Sequence, residues 1–350
     1  MNNELQIPLF FPRQSQVPEK GIKILAGDVG GTKINMALYN ATQNNVELIK
    51  EAKYQSAEHH SFTEVIQKFL KENKLETPDR ICAGVAGPVF HGKVKITNLE
   101  EEMDAAEIKS SIGAQEVSLL NDLEVTAYGL AALKKEDIIT LHNGNPDTKG
   151  NMAIIAPGTG LGEAGLYWDG KNYFPFPTEG GHCDFSPRTD FDIDIFHFLQ
   201  KKYGIVSWEK LVAGPGIHDI YLFVRSLRNK KEPQWLTEEL AKDDPSAVIS
   251  KAAVDNKDEI CVEAMEHFVR YLARESSNLV LKMKATGGLF LGGGIPPKIA
   301  PLLQKEIFLT NYFDCDRMED LLKNAPLHII TQDKTALLGA AYYGAYGAQV

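Results

Sequence analysis

Three glycine-rich turns at the ends of apolar strands limit the possible folds of this chain more than any other sequence feature. The first is Asp-Val-Gly-Gly-Thr-Lys at residues 28–33, between two apolar, alternating runs. The second, Gly-Thr-Gly at 158–160, also joins two strand-like runs, and the third, Gly-Gly-Gly at 292–294, follows another. Strand–turn–strand units in a chain that also contains helical segments predict a layered α/β fold.

The spacing of apolar residues extends this prediction along the chain. Apolar residues recur at helical spacing in 62–70 and 259–284, which predicts two amphipathic helices. We predict further helices at 105–112, 191–203 and 335–346. We predict strands at 22–26, 34–39, 46–54, 81–86, 93–97, 117–120, 152–156, 161–168 and 289–291.

A length of 350 residues corresponds to about two ordinary domains. We predict a small α/β domain at 21–133, completed by a C-terminal helix at 335–350, and a large α/β domain at 134–334. Residues 1–20 are polar and punctuated by proline. They predict an N-terminal extension that becomes ordered only if its apolar residues 9–11 find a surface.

Composition argues against several classes of partner. The chain has 37 Lys and Arg against 47 Asp and Glu, a net charge of −10, and no basic block. Lys and Arg supply most of the affinity for nucleic acid and for anionic membranes, so neither is an expected partner. No stretch approaches the ~18–20 apolar residues of a membrane span. The four cysteines are scattered, which argues against a disulfide framework and a four-cysteine zinc site. We predict a cytoplasmic protein.

Two nucleotide-binding patterns match the sequence in the wrong context. Residues 160–165 fit Gly-x-Gly-x-x-Gly, but a dinucleotide site needs a helix after the glycines, and a strand-like run to Trp168 follows instead. Residues 87–93 fit the start of a P-loop, but Val94 stands where a Ser or Thr must bind magnesium. We therefore predict neither a dinucleotide enzyme nor a P-loop site.

The turn at residues 28–33 has the context that these patterns lack. Its paired glycines permit positive φ angles and close approach of a ligand, and successive N–H groups can form a concave anion site. Asp28, at the strand end, could hold a hydrated magnesium ion beside the phosphates. An ordinary glycine hairpin is the alternative, and the presence of three such turns favours the nucleotide site. The predicted nucleotide-binding residues are Asp28, Gly30, Gly31, Thr32, Lys33, Gly158, Thr159, Gly160, Gly292, Gly293 and Gly294.

Asn121 and Asp122 lie where a predicted strand ends and a helix begins. In open α/β sheets, the carboxyl ends of the strands face the crevice that binds ligands. An aspartate is ionised at neutral pH, so Asp122 could orient a hydroxyl group and accept its proton during phosphoryl transfer. Aspartate is also a common helix cap, and the sequence leaves both roles open.

Glu179, His182 and Glu209 are further polar candidates, each close to glycines. Carboxylates and imidazoles pair well with sugar hydroxyl groups, which both donate and accept hydrogen bonds. His182 could instead be structural, or a metal ligand with Cys183 and Asp184. Three adjacent residues do not converge on one ion in a regular backbone, so the metal site is the weaker interpretation. Glu209 could instead be the acidic residue of a helix start.

Eight short motifs, taken together, carry a family resemblance. They are Asp28-Val-Gly-Gly-Thr-Lys, Gly84-Val-Ala-Gly-Pro, Thr97-Asn98, Leu120-Asn121-Asp122, Gly158-Thr-Gly-Leu-Gly162, Glu179-Gly-Gly-His182, Ser207-Trp-Glu209 and Gly214-Pro-Gly216. Their order resembles that of bacterial glucokinases, in the branch of the sugar kinase/actin/Hsp70 superfamily without a structural zinc. The resemblance runs from about residue 21 to the C-terminal helix.

The resemblance implies a two-domain hexokinase/actin-like (ribonuclease H-like) fold with an active-site cleft between the domains. It implies phosphorylation of glucose to glucose 6-phosphate by ATP, with Mg²⁺ carried by the nucleotide, no metal held by the protein alone, and a homodimer. It makes Asp122 the general base. The residues that it implies for sugar binding are Asn98, Asn121, Asp122, Glu179, His182 and Glu209.

One departure from the family bears on the substrate. Related glucokinases usually carry a Trp shortly after the Thr-Asn pair, whereas here Leu99 and the acidic residues 100–102 follow. This leaves open a kinase for another hexose or with another phosphoryl donor. A non-catalytic nucleotide- or sugar-binding regulator on the same fold is the alternative of a different class. The chain has no N-terminal helix-turn-helix, which argues against a DNA-binding regulator.

Overall fold

The computed structural model describes residues 5, 7–95, 102–145 and 147–348, and the chain forms two compact units. Unit 1 consists of residues 1–136, 171–177 and 332–350, and unit 2 of residues 137–170 and 178–331. The predicted domain boundaries lie within a few residues of the unit boundaries at 136/137 and 331/332. Residues 171–177, which were predicted within the large domain, belong to unit 1.

The strands follow most of the predicted apolar runs. In chain order they are β1 (Ile22–Val29), β2 (Lys33–Ala41), β3 (Val46–Gln55), β4 (Arg80–Val85), β5 (Lys93–Val94), β6 (Met103–Asp104), β7 (Glu116–Asn121), β8 (Ile138–His142), β9 (Met152–Pro157), β10 (Leu161–Trp168), β11 (Tyr173–Thr178), β12 (Gly288–Leu291) and β13 (Leu327–Ile330). The strand predicted over 93–97 is shorter, because β5 contains two residues and 96–101 lie outside the described residues.

The predicted helices are all present, and further ones lie in the second half. In chain order they are α1 (Phe62–Glu72), α2 (Ala105–Ile112), α3 (Asp122–Gly129), α4 (Asp190–Tyr203), α5 (Gly214–Leu227), α6 (Gln234–Leu240), α7 (Pro245–Val254), α8 (Glu259–Met283), α9 (Ala300–Leu303), α10 (Glu306–Phe313), α11 (Glu319–Asn324) and α12 (Thr335–Tyr346). None of them is both long and apolar enough to cross a membrane, within the residues described.

Unit 1 is built on a sheet with the strand order β3-β2-β1-β4-β7. The hairpins β1–β2 and β2–β3 are antiparallel, whereas β4 and β7 run parallel to β1. Helices α1 and α2 contribute to an apolar cluster with one face of the sheet, and α3 and α12 to a cluster with other residues of the same strands. The sheet is therefore covered on both faces.

The N-terminal extension packs on unit 1 through aromatic contacts. The Phe11 ring lies 5.6 Å from that of Tyr346 and 5.9 Å from that of Tyr128. Arg13 forms an ion pair with Glu116 at 2.8 Å. The apolar residues of this segment thus find the surface that the sequence-based prediction required.

Unit 2 contains a second mixed sheet, in which β10, β9, β12, β13 and β8 are neighbours in that order. The β9–β10 hairpin is antiparallel, and β12 and β13 run parallel to β9. Helix α8 is deeply buried, and even its polar residues 274–277 are almost inaccessible to solvent. After the third glycine turn the chain forms further turns before α9 begins at Ala300.

Candidate functional site

The first glycine turn joins β1 and β2 in unit 1. Val29 pairs with Ile34, and the Gly30 N–H donates to the Lys33 carbonyl at 3.0 Å. The Asp28 carboxylate accepts a hydrogen bond from the Asn35 amide at 2.9 Å. Burial of Asp28 raises the pKa of its carboxyl group, an effect that the Asn35 hydrogen bond partly offsets. The site is therefore one where a nearby cation would favour the ionised form.

The side chains that follow this turn face solvent. Thr32 and Lys33 are both exposed, and the backbone of Thr32 is held by the Ser56 N–H, which donates to the Thr32 carbonyl at 2.9 Å. The Ser56 hydroxyl also donates to the Gly30 carbonyl at 2.9 Å. The turn therefore presents its hydroxyl and ammonium groups from a fixed backbone, as an anion-binding loop requires.

The paired glycines of the first turn do not adopt the positive φ angles that glycine permits. Among the described residues of the three turns, only Gly293 has a positive φ, of 78°. A different property sets Gly158 and Gly294 apart, because no atom lies within 4 Å of the position that a Cβ would occupy. These glycines leave space open beside the backbone rather than supplying an unusual φ angle.

The second and third glycine turns meet at a cavity of about 400 Å³ within unit 2. Gly158, Thr159 and Gly294 line it together with Gly214 and Lys298. The Gly158 carbonyl accepts a hydrogen bond from the Gly214 N–H at 2.8 Å, which places the start of α5 beside the second turn. The positive end of a helix dipole and a lysine thus converge on a cavity lined by two of the predicted turns.

The remaining predicted glycines are engaged by the protein itself. A Cβ on Gly160 would lie 2.7 Å from a Glu209 carboxylate oxygen, and one on Gly293 2.5 Å from the Pro157 carbonyl oxygen. Gly292 continues the strand, since its N–H donates to the Ile155 carbonyl at 2.9 Å. These glycines shape the turns and do not line the cavity.

Sequence reasoning missed part of this cavity wall. The further lining residues that it did not propose are Gly214, Pro215, His218, Asp244, Pro245, Ser246, Ile295 and Lys298. Asp244 caps α7 by accepting from the Ala247 N–H at 2.9 Å. A hydrogen bond from the Ser246 hydroxyl lowers the pKa of the Asp244 carboxyl group. The Gly-Pro-Gly motif at 214–216 was the available signal, because proline and glycine together can begin a helix.

Asn121 and Asp122 occupy different helix positions. Asn121 is the N-cap of α3, and its side-chain oxygen accepts from the Leu123 N–H at 2.9 Å and the Glu124 N–H at 3.4 Å. Asp122 is the first residue of the helix, and one of its carboxylate oxygens accepts from the Leu123 N–H at 2.9 Å. The capping role that the sequence left open for Asp122 thus belongs to Asn121.

The parallel strands bring these residues to the level of the first turn. Val29 pairs with Val85, and Val85 pairs with Asn121, so the carboxyl ends of β1, β4 and β7 lie at one edge of the sheet. Neighbouring strands lie about 4.8 Å apart, which puts Val29 and Asn121 about 10 Å apart. The first glycine turn and Asp122 therefore both extend from one sheet edge of unit 1.

Three predicted sugar-binding residues belong to unit 2. The side chains of Glu179 and His182 are largely exposed, with 4.0 Å between His182 Nε2 and Glu179 Oε2. The Trp208 N–H donates to the Cys183 carbonyl at 3.0 Å, which brings the short helical turn that carries Glu209 beside their loop. Glu209 accepts from the Leu161 N–H at 3.2 Å and so connects the sugar-type residues to the second glycine turn.

Two predictions are tested only in part: the one for Asn98 and the acidic residues that follow it, and the one for a metal site. Asn98 and the acidic residues Glu100 and Glu101 lie outside the described residues, whereas Glu102 is exposed. Across the described ranges, no group of three or more His, Cys, Asp and Glu side chains could hold a metal ion.

Solved structures define the class of protein. A glucokinase from an Antarctic psychrotroph is 29% identical, with a TM-score of 0.78 over 92% of this chain and 98% of that one. A glucokinase from Balamuthia mandrillaris, solved in complex with glucose, is 20% identical and shares the fold with a TM-score of 0.77, over 93% of this chain and 94% of that one. The predicted two-domain α/β fold of the hexokinase and actin type is confirmed.

The relatives narrow the class to one family. The family model described as Glucokinase matches residues 25–346. A glucokinase from Nostoc sp. (strain PCC 7120) is 37% identical over 334 residues, which cover 91% of this chain and 97% of that protein. The chain belongs to the glucokinase family.

Proposed function

We propose that this protein transfers the γ-phosphoryl group of ATP to glucose. The family match over residues 25–346 carries the proposal, and the three glycine turns and Asp122 support it by their positions at strand ends. In the reaction a glucose hydroxyl oxygen forms a bond to the γ-phosphorus, and the bond from that phosphorus to the leaving ADP oxygen breaks. The products are ADP and glucose 6-phosphate, and the hydroxyl proton leaves to a base.

Asp122 is the proposed base. It extends from the carboxyl end of β7, and Asn121 fixes the first turn of its helix through the cap. Phosphoryl transfer has a loose transition state, so the main task of the base is to orient the hydroxyl group, with proton transfer late. A carboxylate performs this task although it is a weak base.

Unit 2 supplies three of the six proposed sugar contacts. Glu179 and His182 have exposed polar atoms on one short loop, and Glu209 lies on the neighbouring turn. Carboxylates accept hydrogen bonds from sugar hydroxyls, and an unpaired buried partner penalises a sugar that lacks the matching hydroxyl. Asn98 and Asn121 complete the proposed set.

The glycine turns carry the proposed nucleotide-binding residues. Thr32 and Lys33 offer exposed donors, and Gly158, Thr159 and Gly294 offer the cavity at the start of α5. The other residues predicted for nucleotide binding shape these turns.

Asp28 is the proposed neighbour of the Mg²⁺ that accompanies ATP. Its carboxylate offers one hard oxygen ligand, which suits a cation that keeps its water and phosphate ligands. Burial disfavours the ionised form of this carboxylate when no cation is near. Mg²⁺ would supply charge neutralisation on the phosphates when bound.

We expect Gly158→Ala to weaken ATP binding without affecting folding. The added methyl group meets no protein atom within 4 Å, so the melting temperature should stay within about 1–2 °C of wild type. The methyl would occupy space proposed for the nucleotide, and we expect the KM for ATP to rise roughly tenfold, a loss typical of steric misfit. Initial rates at saturating glucose measure this. An unchanged KM for ATP would place the nucleotide elsewhere.

ADP release from MgATP tests the proposed function directly. We expect release that depends on glucose and exceeds the release with mannose or fructose. Binding of ATP and glucose without turnover would favour the regulator, and faster turnover of another hexose would reassign the substrate. A cytoplasmic location, a role in glycolysis and a homodimer stay predictions, the last of which light scattering of the purified protein tests.

A further inference from the structure

Two buried glutamates lie beneath the loop that carries Glu179 and His182. Glu163, on β10, is 1% exposed, and Glu275, in the middle of α8, is 0% exposed. Their carboxyl groups lie within reach of a hydrogen bond to each other. We call these two side chains the buried acid pair.

A hydrogen bond between two carboxyl groups requires that one of them keeps its proton. Glu275 also accepts from the Asn278 amide at 2.8 Å and from the Lys282 ammonium at 2.9 Å, which makes it the ionised member. Glu163 Oε1 has no hydrogen-bond partner in the described part of the chain. Glu163 is therefore the protonated member, and one ammonium balances one carboxylate.

The sugar loop rests directly on Glu163. A Cβ on Gly180 would lie 1.9 Å from Glu163 Oε2, so only a hydrogen atom fits between the loop and the carboxyl group. The Thr178 hydroxyl ties the loop to the same residue, since it donates to the Glu163 carbonyl at 3.0 Å and accepts from the Gly180 N–H at 3.2 Å. A movement of the Glu163 carboxyl group toward the loop would therefore displace Gly180.

Ionisation of Glu163 would drive a movement of its carboxyl group, and Gly180 lies against that group. A second carboxylate beside Glu275 would leave one buried negative charge without a counter-ion, which is strongly unfavourable in a nonpolar interior. Helix α8 holds Glu275 through two hydrogen bonds, whereas the Gly180 side is a short surface loop. The repulsion would therefore displace the loop.

We propose that protonated Glu163 is a positioning residue that sets the sugar loop, so that deprotonation of the buried acid pair weakens glucose binding. This inference rests on the proposed function of the loop in binding sugar. Burial, and next the Glu275 carboxylate, raise the pKa of Glu163 to about 8, so the change falls between pH 7 and 9. The charged groups near Glu163 are Glu275 and Lys282, and Lys282 is itself influenced by Cys183 on the loop.

The test compares wild type with Glu163→Gln and Cys183→Ser, through the dissociation constant of glucose measured by calorimetry without nucleotide. Between pH 7 and 9 we expect wild-type affinity to fall about tenfold, because one group with a pKa of about 8 loses nearly all its proton over this range. Gln keeps the shape and a hydrogen-bond donor and carries no proton to lose. Glu163→Gln should therefore bind glucose as wild type does at pH 7 and keep that affinity at pH 9.

Cys183→Ser is the matched control, because it changes a side chain next to the same loop and leaves the buried acid pair intact. It should retain the wild-type pH dependence. The inference is wrong if Glu163→Gln keeps the wild-type fall in affinity, or if Cys183→Ser abolishes it. Glucose binding at pH 7 without ADP release would contradict the proposed kinase function and leave the inference standing.

A second measurement does not depend on the variant folding. Infrared difference spectra of the wild-type protein should contain a protonated carboxyl band that disappears with a midpoint near pH 8. If Glu163 had only a structural role, Glu163→Gln would change the melting temperature. Its glucose affinity would then depend on pH as the wild-type affinity does. Absence of a titrating carboxyl band between pH 6 and 9 would overturn the inference.

Discussion

Replacing Asp122 by Asn should reduce kcat about 10²- to 10⁴-fold, the contribution that a positioned general base makes to proton transfer. The amide has the same shape as the carboxylate and can still accept from the Leu123 N–H, so α3 should keep its first turn. Glucose affinity should change by less than about tenfold, since hydroxyl contacts from the other proposed residues remain. Initial rates of ADP release and calorimetric glucose binding measure the two effects separately.

Glu124→Gln is the matched control for this variant. It replaces a carboxyl group by an amide in the same helix turn, where a carboxylate gains about 0.3–1 kcal/mol from the helix dipole. Burial raises the pKa of Glu124 to about 7, which makes the loss of its charge inexpensive near neutral pH. We expect kcat of this variant to stay near the wild-type value. Equal losses in Asp122→Asn and Glu124→Gln would show that helix electrostatics matter and that Asp122 is not the base.

The strands and the long helices could be predicted from the sequence because their signals are local. Glycine turns mark the ends of β1 and β9, and apolar spacing marks α8 and α12 within one residue of their ends. Rejection of the dinucleotide pattern at 160–165 was correct for the same reason, since β10 follows the glycines. Helix α5 was hidden because its sequence begins with Gly-Pro-Gly, residues that disfavour a helix interior and are tolerated at its first turn.

The site was only partly accessible to this reasoning, because its remaining features depend on tertiary packing. No sequence pattern indicates that Val29 and Asn121 share one level of the sheet, since that follows from the register of β1, β4 and β7. The contact between Glu163 and Glu275 joins distant parts of the chain. The sequence also does not show whether a glycine is required by space or by conformation.

The packing of α3 against α12 gives a second large expected effect, through Gly339. A Cβ on Gly339 would lie 1.7 Å from the Val125 carbonyl oxygen and 2.6 Å from the Gly129 nitrogen, both backbone atoms that cannot rotate away. Gly→Ala inside a helix is normally favourable by about 1 kcal/mol. Overpacking costs about 1–3 kcal/mol and occasionally more, and a clash with two backbone atoms belongs at the upper end. Gly339→Ala should therefore destabilise unit 1 by roughly 2–3 kcal/mol.

This loss should appear in both unfolding and catalysis. The melting temperature of unit 1 should fall by about 4–12 °C, as expected for a domain of this size. Separation of the two helices would also move the start of α3, so kcat should fall while the KM for ATP changes little. Gly158→Ala supplies the control, because its methyl group is added in open space and should leave the melting temperature unchanged. A Gly339→Ala protein as stable as wild type would mean that α12 does not fix the helix that carries Asp122.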